Sequence, residues 1–378
     1  MYLIELMPLI ANITATKSEL IICCLICQVA IIAGVRHFNS RVQSYAPWIM
    51  LYIVCMTYFI NTDYYSYLED YNDGFRLVGA KEPFYIWLHS ISFGHYTIWR
   101  TFVWGSAIII FYKLCSRLNI NKNIAIFILI MFATSKFAYG RVILAMATYY
   151  LGLSYISKPI DSKFMSFLIA IILIPSSYFF HRSMLVIIAL TPLAFVNFNK
   201  KKLILLLLIS PLLVSGIKLI FNLFVSGSVQ MDNELASFQS SAERTSSMDD
   251  SYQARNWKSR IMYNVGLFSI FIPYIYITYA TCLKKKMLLI ELPNKLKPFF
   301  NITTIIVYFS TIVLYWVRVG NSSIIGMRYL FMSLIPLIIL MAYMYQSSFI
   351  SKKTLYKLMF LGFVSFEFNV VIYTFLNV

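Results

Sequence analysis

Charge is scarce in this chain. Only 12% of its 378 residues are Asp, Glu, Lys or Arg, against 60% hydrophobic, with a mean hydropathy of +0.73. That ratio excludes a soluble globule, which needs polar residues to cover its core, and leaves a polytopic membrane protein. Acids are scarcer still, 15 against 32 Lys and Arg, for a net charge of +17. On a polar fold such a surplus would suit nucleic acid, but no polar segment here offers a basic stripe, so no nucleic-acid partner is expected. Cysteines number six, Cys23, Cys24, Cys27, Cys55, Cys115 and Cys282, and all lie in apolar runs or at their ends. No disulfide framework follows, and the CCxxC run at 23–27 lacks the further ligands of a metal site. There is no Walker motif, GxGxxG or HExxH and no internal repeat, so ATP-driven chemistry has no support. The start of the chain lacks a basic n-region and a small-residue cleavage site, and the first apolar run is expected to be retained.

What the chain does have is apolar runs. They fall at 20–35, 46–60, 98–112, 123–139, 142–156, 164–180, 183–196, 203–225, 261–282, 299–317, 323–345 and 355–376. Each is long enough, or nearly so, to cross about 30 Å of hydrocarbon. The expected fold is therefore all-α, a polytopic integral membrane protein of about twelve transmembrane helices in a single transmembrane domain spanning 1–378. Two longer outer segments interrupt it. The one at 61–97 ends in an apolar stretch, 84–93, too short to span and suited to the interface, and the one at 226–260 has the spacing of a partly helical lid.

Orientation follows from the connections. One alternate set holds 18 Lys and Arg against two acids, Asp161 and Glu291, while everything else holds 14 against 13. The two sides thus carry +16 and +1. The basic set belongs in the cytoplasm, which places both termini and both long segments outside.

The first outer segment concentrates chemistry. Asp63, Glu69, Asp70, Asp73 and Glu82 lie among Tyr64, Tyr65, Tyr67, Tyr71 and Phe75, with Phe84, Tyr85 and Trp87 just beyond. Carboxylates bond sugar hydroxyls and aromatic faces take the C–H side of a sugar ring, so carbohydrate is the first ligand class to consider. The same tyrosines also suit the headgroup level of an ordinary outer loop.

Cations at the outer leaflet are the second concentration. Arg141 opens a helix beginning VILAMA, His181-Arg182 lies in FFHRSML, Arg318 follows LYW, and Arg328 sits inside an apolar run in GMRYLF. Embedded charge is costly and marks sites. Arginine suits bidentate contact with phosphate, and a lipid diphosphate whose head sits at that depth matches both charge and position. Arg182 and Arg318 are equally placed to snorkel toward headgroups.

Taken in order, these residues resemble the EpsG-like, Wzy-type polymerases of bacterial surface polysaccharides. The match runs through Asp63, Tyr67 and Tyr71, then Glu82-Pro83, Arg141 with Leu144-Ala145, Phe180-His181-x-Ser183, and Arg328-Tyr329, covering about 61–340. It departs at Val142, where the family commonly has Gln after the helix-opening arginine. The resemblance implies a GT-C-like polymerase architecture in the bacterial cytoplasmic membrane, with the site facing the periplasm or cell exterior. It implies a glycosyltransferase that joins undecaprenyl-diphosphate-linked oligosaccharide repeats of an O-antigen, capsule or exopolysaccharide, and since the arginines already supply positive charge to the diphosphate, the transfer is expected to be metal-independent and without cofactor. Its partners are that lipid-linked oligosaccharide and the lipid bilayer, and a chain-length regulator is admitted as another. In such a reaction Arg141 and Arg328, with Arg182 and Arg318, would bind diphosphate. Asp63, His181 or Glu82 would act as base, and Tyr64, Tyr67, Tyr71, Tyr85 and Trp87 would hold sugar. A flippase for lipid-linked oligosaccharide and a membrane O-acyltransferase that modifies a surface glycan are the alternatives from other classes.

Overall fold

The computed structural model describes residues 45–57, 68, 71–72, 82–137, 140–196, 201–202, 205, 208–216, 257–283, 292–314, 322–360, 362 and 364. Asp63, Tyr64, Tyr67, Arg318, the expected span at 20–35 and most of the lid at 226–260 lie outside them. The described residues are helical, with no strand among them. They fall into two compact units that divide after Met184.

In the first unit the helices are α1 (Ala46–Thr57), α2 (Pro83–Ile91), α3 (Tyr96–Arg117), α4 (Lys122–Phe137), α5 (Gly140–Ser157) and α6 (Lys163–Phe180). The interfacial stretch expected at 84–93 is α2. It has Pro83 in its first turn, where the missing N–H has no intrahelical partner to lose. Helix α3 overshoots its expected limits at both ends. Its buried residues, Tyr96, Trp99, Arg100, Val103, Trp104, Ala107, Ile108, Phe111, Leu114 and Cys115, recur every three or four positions and form one stripe. Phe102 and Ile109 point away and are exposed. A helix that is apolar on its outward face as well belongs in lipid.

Lipid tails are as apolar as Leu, so burial gives such helices little drive to associate, and close packing and hydrogen bonds must do it. The α5–α6 pair shows how. The buried face of α6 is the row Ser166, Ala170, Ile174 and Ser177, small except for Ile174. Across it Gly152 of α5 lies so near that an added Cβ would stand 2.8 Å from Ile174 Cγ1 and 3.2 Å from the Ile174 backbone nitrogen. The outward face of α6, with Phe164, Phe167, Ile171 and Ile172, is exposed and apolar.

Polar groups collect at the two ends of this unit. At one end the last turn of α3, the start of α4 and the end of α5 meet. Lys158 Nζ donates to the Arg117 carbonyl at 2.8 Å and the Arg117 guanidinium donates to the Lys158 carbonyl while lying 3.6 Å from the Tyr155 ring centroid. Lys122 Nζ bonds Tyr112 Oη at 2.7 Å, and Asn121 caps α4 by accepting from the amides of Asn123 and Ile124. At the other end lie α2, the start of α5 and the exit from α6.

In the second unit are α7 (Met184–Leu190, beginning at the boundary) with a 3-10 turn at Thr191–Phe195, α8 (Trp257–Thr278) with a π turn at Tyr279–Leu283, α9 (Lys297–Ile312), α10 (Ser322–Phe331) and α11 (Leu334–Gln346). Helix α9 is buried on nearly every face, polar residues included. Asn301 Nδ2 donates to the Ala194 carbonyl at 2.8 Å, and Thr303 and Thr304 bond back to the carbonyls of Phe299 and Phe300. Gly326 of α10 leaves no room for a side chain, since an added Cβ would lie 2.9 Å from the Leu314 backbone nitrogen.

Three described segments are long and apolar enough to cross a membrane, Tyr96–Arg117, Lys163–Phe180 and Arg328–Gln346, with Met184–Phe195 and Leu267–Thr281 shorter. The span expected at 323–345 contains α10 and α11 with a tightened turn at Met332–Ser333, and Arg328–Gln346 runs through that turn. Met332 and Ser333 bond to carbonyls three residues back, Ser333 Oγ takes up the Leu330 carbonyl at 2.6 Å, and Pro336, four residues after Met332, has no N–H to offer the Met332 carbonyl.

Candidate functional site

Glu82 is the centre of the polar end of the first unit. It stands at the N-cap position of α2 but does not cap it, and its carboxylate turns toward other segments. Oε2 meets Arg141 Nη1, in the first turn of α5, at 3.4 Å. Oε1 accepts from the Arg182 backbone N–H, in the turn after α6, also at 3.4 Å. Only 8% of Glu82 is exposed, and a buried carboxylate of this kind needs such partners. One acid thereby ties three segments together.

Tyr85 lies one turn further along α2 and is fully buried. Its hydroxyl donates to the Arg141 carbonyl at 3.4 Å, and the Arg141 guanidinium stands 5.6 Å from its ring centroid. The ring packs on Trp99 at 5.5 Å. Tyr71 is 2% exposed, its hydroxyl 2.6 Å from Ser92 Oγ and its ring against His89, Tyr96 and Trp99. These two expected sugar-binding tyrosines thus form the buried support of the site. Trp87 is 56% exposed.

Trp87 also lines a groove between α2 and α6, of about 360 Å³, with Pro83, Phe84, Ser176, Phe179 and Phe180. Phe84 and Phe180 meet edge to face at 4.5 Å within it. Both walls run straight into the polar cluster, because Glu82 precedes Pro83 and His181-Arg182 follows Phe180. His181 closes α6 in an extended conformation and receives the Ser183 amide on Nδ1.

Arg328 belongs to the second unit. It is exposed in the last turn of α10, and its neighbour Tyr329 sets its ring edge to face on Phe309 at 5.4 Å. Of the sequence candidates, Glu82 and Arg141 are therefore brought together with Tyr85, and the Arg182 backbone joins them, with His181 next to it in the chain.

Two residues here escaped the sequence reading. Ser183 was visible only as part of a motif. Arg100 is buried one position beyond Trp99, its Nη2 bonded to the Cys55 carbonyl at 2.9 Å and its guanidinium 5.8 and 5.4 Å from the Tyr96 and Trp104 rings. An arginine inside a 22-residue apolar helix was itself the signal.

The arrangement is an aromatic groove leading to an arginine–carboxylate cluster in an all-helical membrane protein. Among known protein families, the EpsG family matches residues 44–377, and the chain belongs to that family. Membership points to polysaccharide biosynthesis, in the general sense of a glycosyltransferase-like polymerase. No curated protein and no solved structure matches the chain.

Proposed function

We propose that this protein is a polysaccharide polymerase that joins undecaprenyl-diphosphate-linked oligosaccharide repeats on the outer face of the bacterial cytoplasmic membrane. The observation that carries the reading is the Glu82–Arg141–Arg182 cluster at the mouth of the α2–α6 groove. An apolar groove ending in cations fits an amphiphile with an anionic head. The cluster lies at the opposite end of the unit from Arg117, Lys122 and Lys158, the end that the positive-inside rule assigns to the cytoplasm. Arg141 and Arg182 would hold the departing diphosphate, Trp87 would offer an exposed ring to sugar, and Asp63 would be the base.

The test is the surface glycan of a deletion strain. A polymerase leaves single repeats on the surface acceptor. Loss of all repeats means a flippase, and full ladders lacking acetyl groups mean an O-acyltransferase. For orientation, cysteines placed at Ser240 and Lys286 in a background without reactive thiols should react with an impermeant label at 240 and stay silent at 286. The reverse pattern defeats the outward-facing site.

The transfer is also expected to proceed without a divalent ion, because arginines already supply positive charge to the diphosphate. Purified protein given lipid-linked repeats should elongate them in excess chelator. Arrest by chelator with rescue by magnesium would assign the acids to a metal instead.

A further inference from the structure

The turn at 181–183 separates the candidates for proton transfer. His181 leaves α6 at φ −161 and ψ 119, its amide bonded to the Ser177 carbonyl at 3.1 Å. Its ring folds back onto the chain, where the Ser183 backbone N–H donates to Nδ1 at 3.3 Å. Ser183 Oγ also lies in hydrogen-bonding contact with Nδ1. A backbone amide nitrogen can only donate. Nδ1 must therefore present its lone pair, and the neutral ring carries its single N–H on Nε2. The hydroxyl proton is free to rotate toward the same lone pair and reinforce that choice. The turn is anchored on both sides: the Arg182 amide reaches Glu82 Oε1 at 3.4 Å, and the Met184 amide reaches the His181 carbonyl at 3.0 Å.

We infer that Ser183 is a positioning residue that holds His181 as the Nε2–H tautomer, so that His181 serves the transfer as a hydrogen-bond donor to an anionic oxygen and not as the base. The inference rests on the glycosyl-transfer reading above. In that reaction the acceptor hydroxyl oxygen bonds to the anomeric carbon of the donor glycan. The bond from that carbon to the diphosphate oxygen breaks, and its electron pair stays on the diphosphate. The hydroxyl proton passes to a carboxylate. A ring already protonated at Nε2 cannot take that proton there, and if it gave its own away it would become imidazolate. It therefore lends its N–H to the leaving oxygen and keeps it. Glu82 is engaged by Arg141 and the Arg182 amide, and the proton goes to Asp63, the base of the reading above.

The tautomer can be read without any activity. The chain has four histidines, so solid-state NMR of protein labelled with 15N-histidine and reconstituted in bilayers assigns His181 by the signals missing from His181→Gln. Near neutral pH a bare Nδ1 and a protonated Nε2 are expected. The opposite pattern overturns the inference. Ser183→Ala should add a minor Nδ1–H signal that Ser183→Thr abolishes, and an unchanged spectrum in the alanine variant would remove Ser183 from the account. In elongation assays His181→Gln, whose amide N–H reaches the place of Nε2–H, should stay within about tenfold of native. His181→Ala should fall on the order of a hundredfold, the usual cost of one lost oxyanion donor. A glutamine variant as poor as alanine defeats the donor role. If the native protein elongates no lipid-linked glycan, the glycosyl-transfer reading fails while the tautomer measurement stands on its own.

Discussion

Arg141→Lys should leave the protein in the membrane at native level and lower polymer elongation on the order of a hundredfold. A lysine can still pair with Glu82, whose carboxylate lies 3.4 Å from Arg141 Nη1, so the local charge balance survives. What it loses is the rigid plane of five N–H donors that can hold a carboxylate through one edge and offer another to a diphosphate. It also loses the guanidinium that stands 5.6 Å from the Tyr85 ring centroid. Glu82→Gln behaves differently. It keeps an oxygen for the Arg182 amide but takes the negative charge from a part-buried pair, which should cost about 1–3 kcal/mol, less than for a fully buried one. That variant should lose thermal stability as well as activity, and Glu82→Gln with Arg141→Met should recover part of the stability and none of the activity. Thermal unfolding in detergent and polymer ladders, both normalised to membrane protein, make the measurement. Elongation that merely follows the folded fraction in every variant would make the pair a structural clamp.

The other large effect is expected far from any charge. Gly152→Ala should destabilise the protein by about 1–3 kcal/mol, and Gly152→Leu should remove it from the membrane. Ile174 Cγ1, 2.8 Å from an added Cβ, could swing away. Leu173 Cβ at 3.1 Å and the Ile174 nitrogen at 3.2 Å are fixed to the frame of α6, so the helices themselves must part. Arg141 opens one of those helices and His181 closes the other, so the alanine variant should also lose elongation beyond its loss of folded protein. Native melting of Gly152→Leu would show that the contact is not made.

Much of the helical layout was legible because apolar length is a strong signal, and the short helix at Pro83–Ile91 stood out by its composition. The turn at Met332–Ser333 was signalled only by Pro336, one proline inside a long apolar run, and the apolar length outweighed it. Arg141 and His181-Arg182 were recognisable as cations at the ends of apolar runs, and Glu82 as one acid of an aromatic-rich loop. Their meeting was not, because Glu82 is 59 residues from Arg141 and 100 from Arg182, and nothing local encodes that approach. Tyr71 and Tyr85 looked like binding residues from their chemistry alone. Their burial depends on Trp99 and Tyr96 of the next helix, which no reading of the loop by itself could supply.

The span of Glu82's bonds also sets a timetable for biogenesis. At about 5–20 residues per second, the arginine that neutralises this acid is synthesised some 3–12 seconds after it, and the amide that completes its shell roughly 5–20 seconds after it. During that interval the carboxylate must wait in water or among headgroups while the intervening helices enter the bilayer. Only when the turn beyond the sixth of these helices has reached the same surface can the acid be withdrawn. A nascent chain stopped short of Arg182 therefore carries an open, hydrated acid where the finished protein has a sealed one.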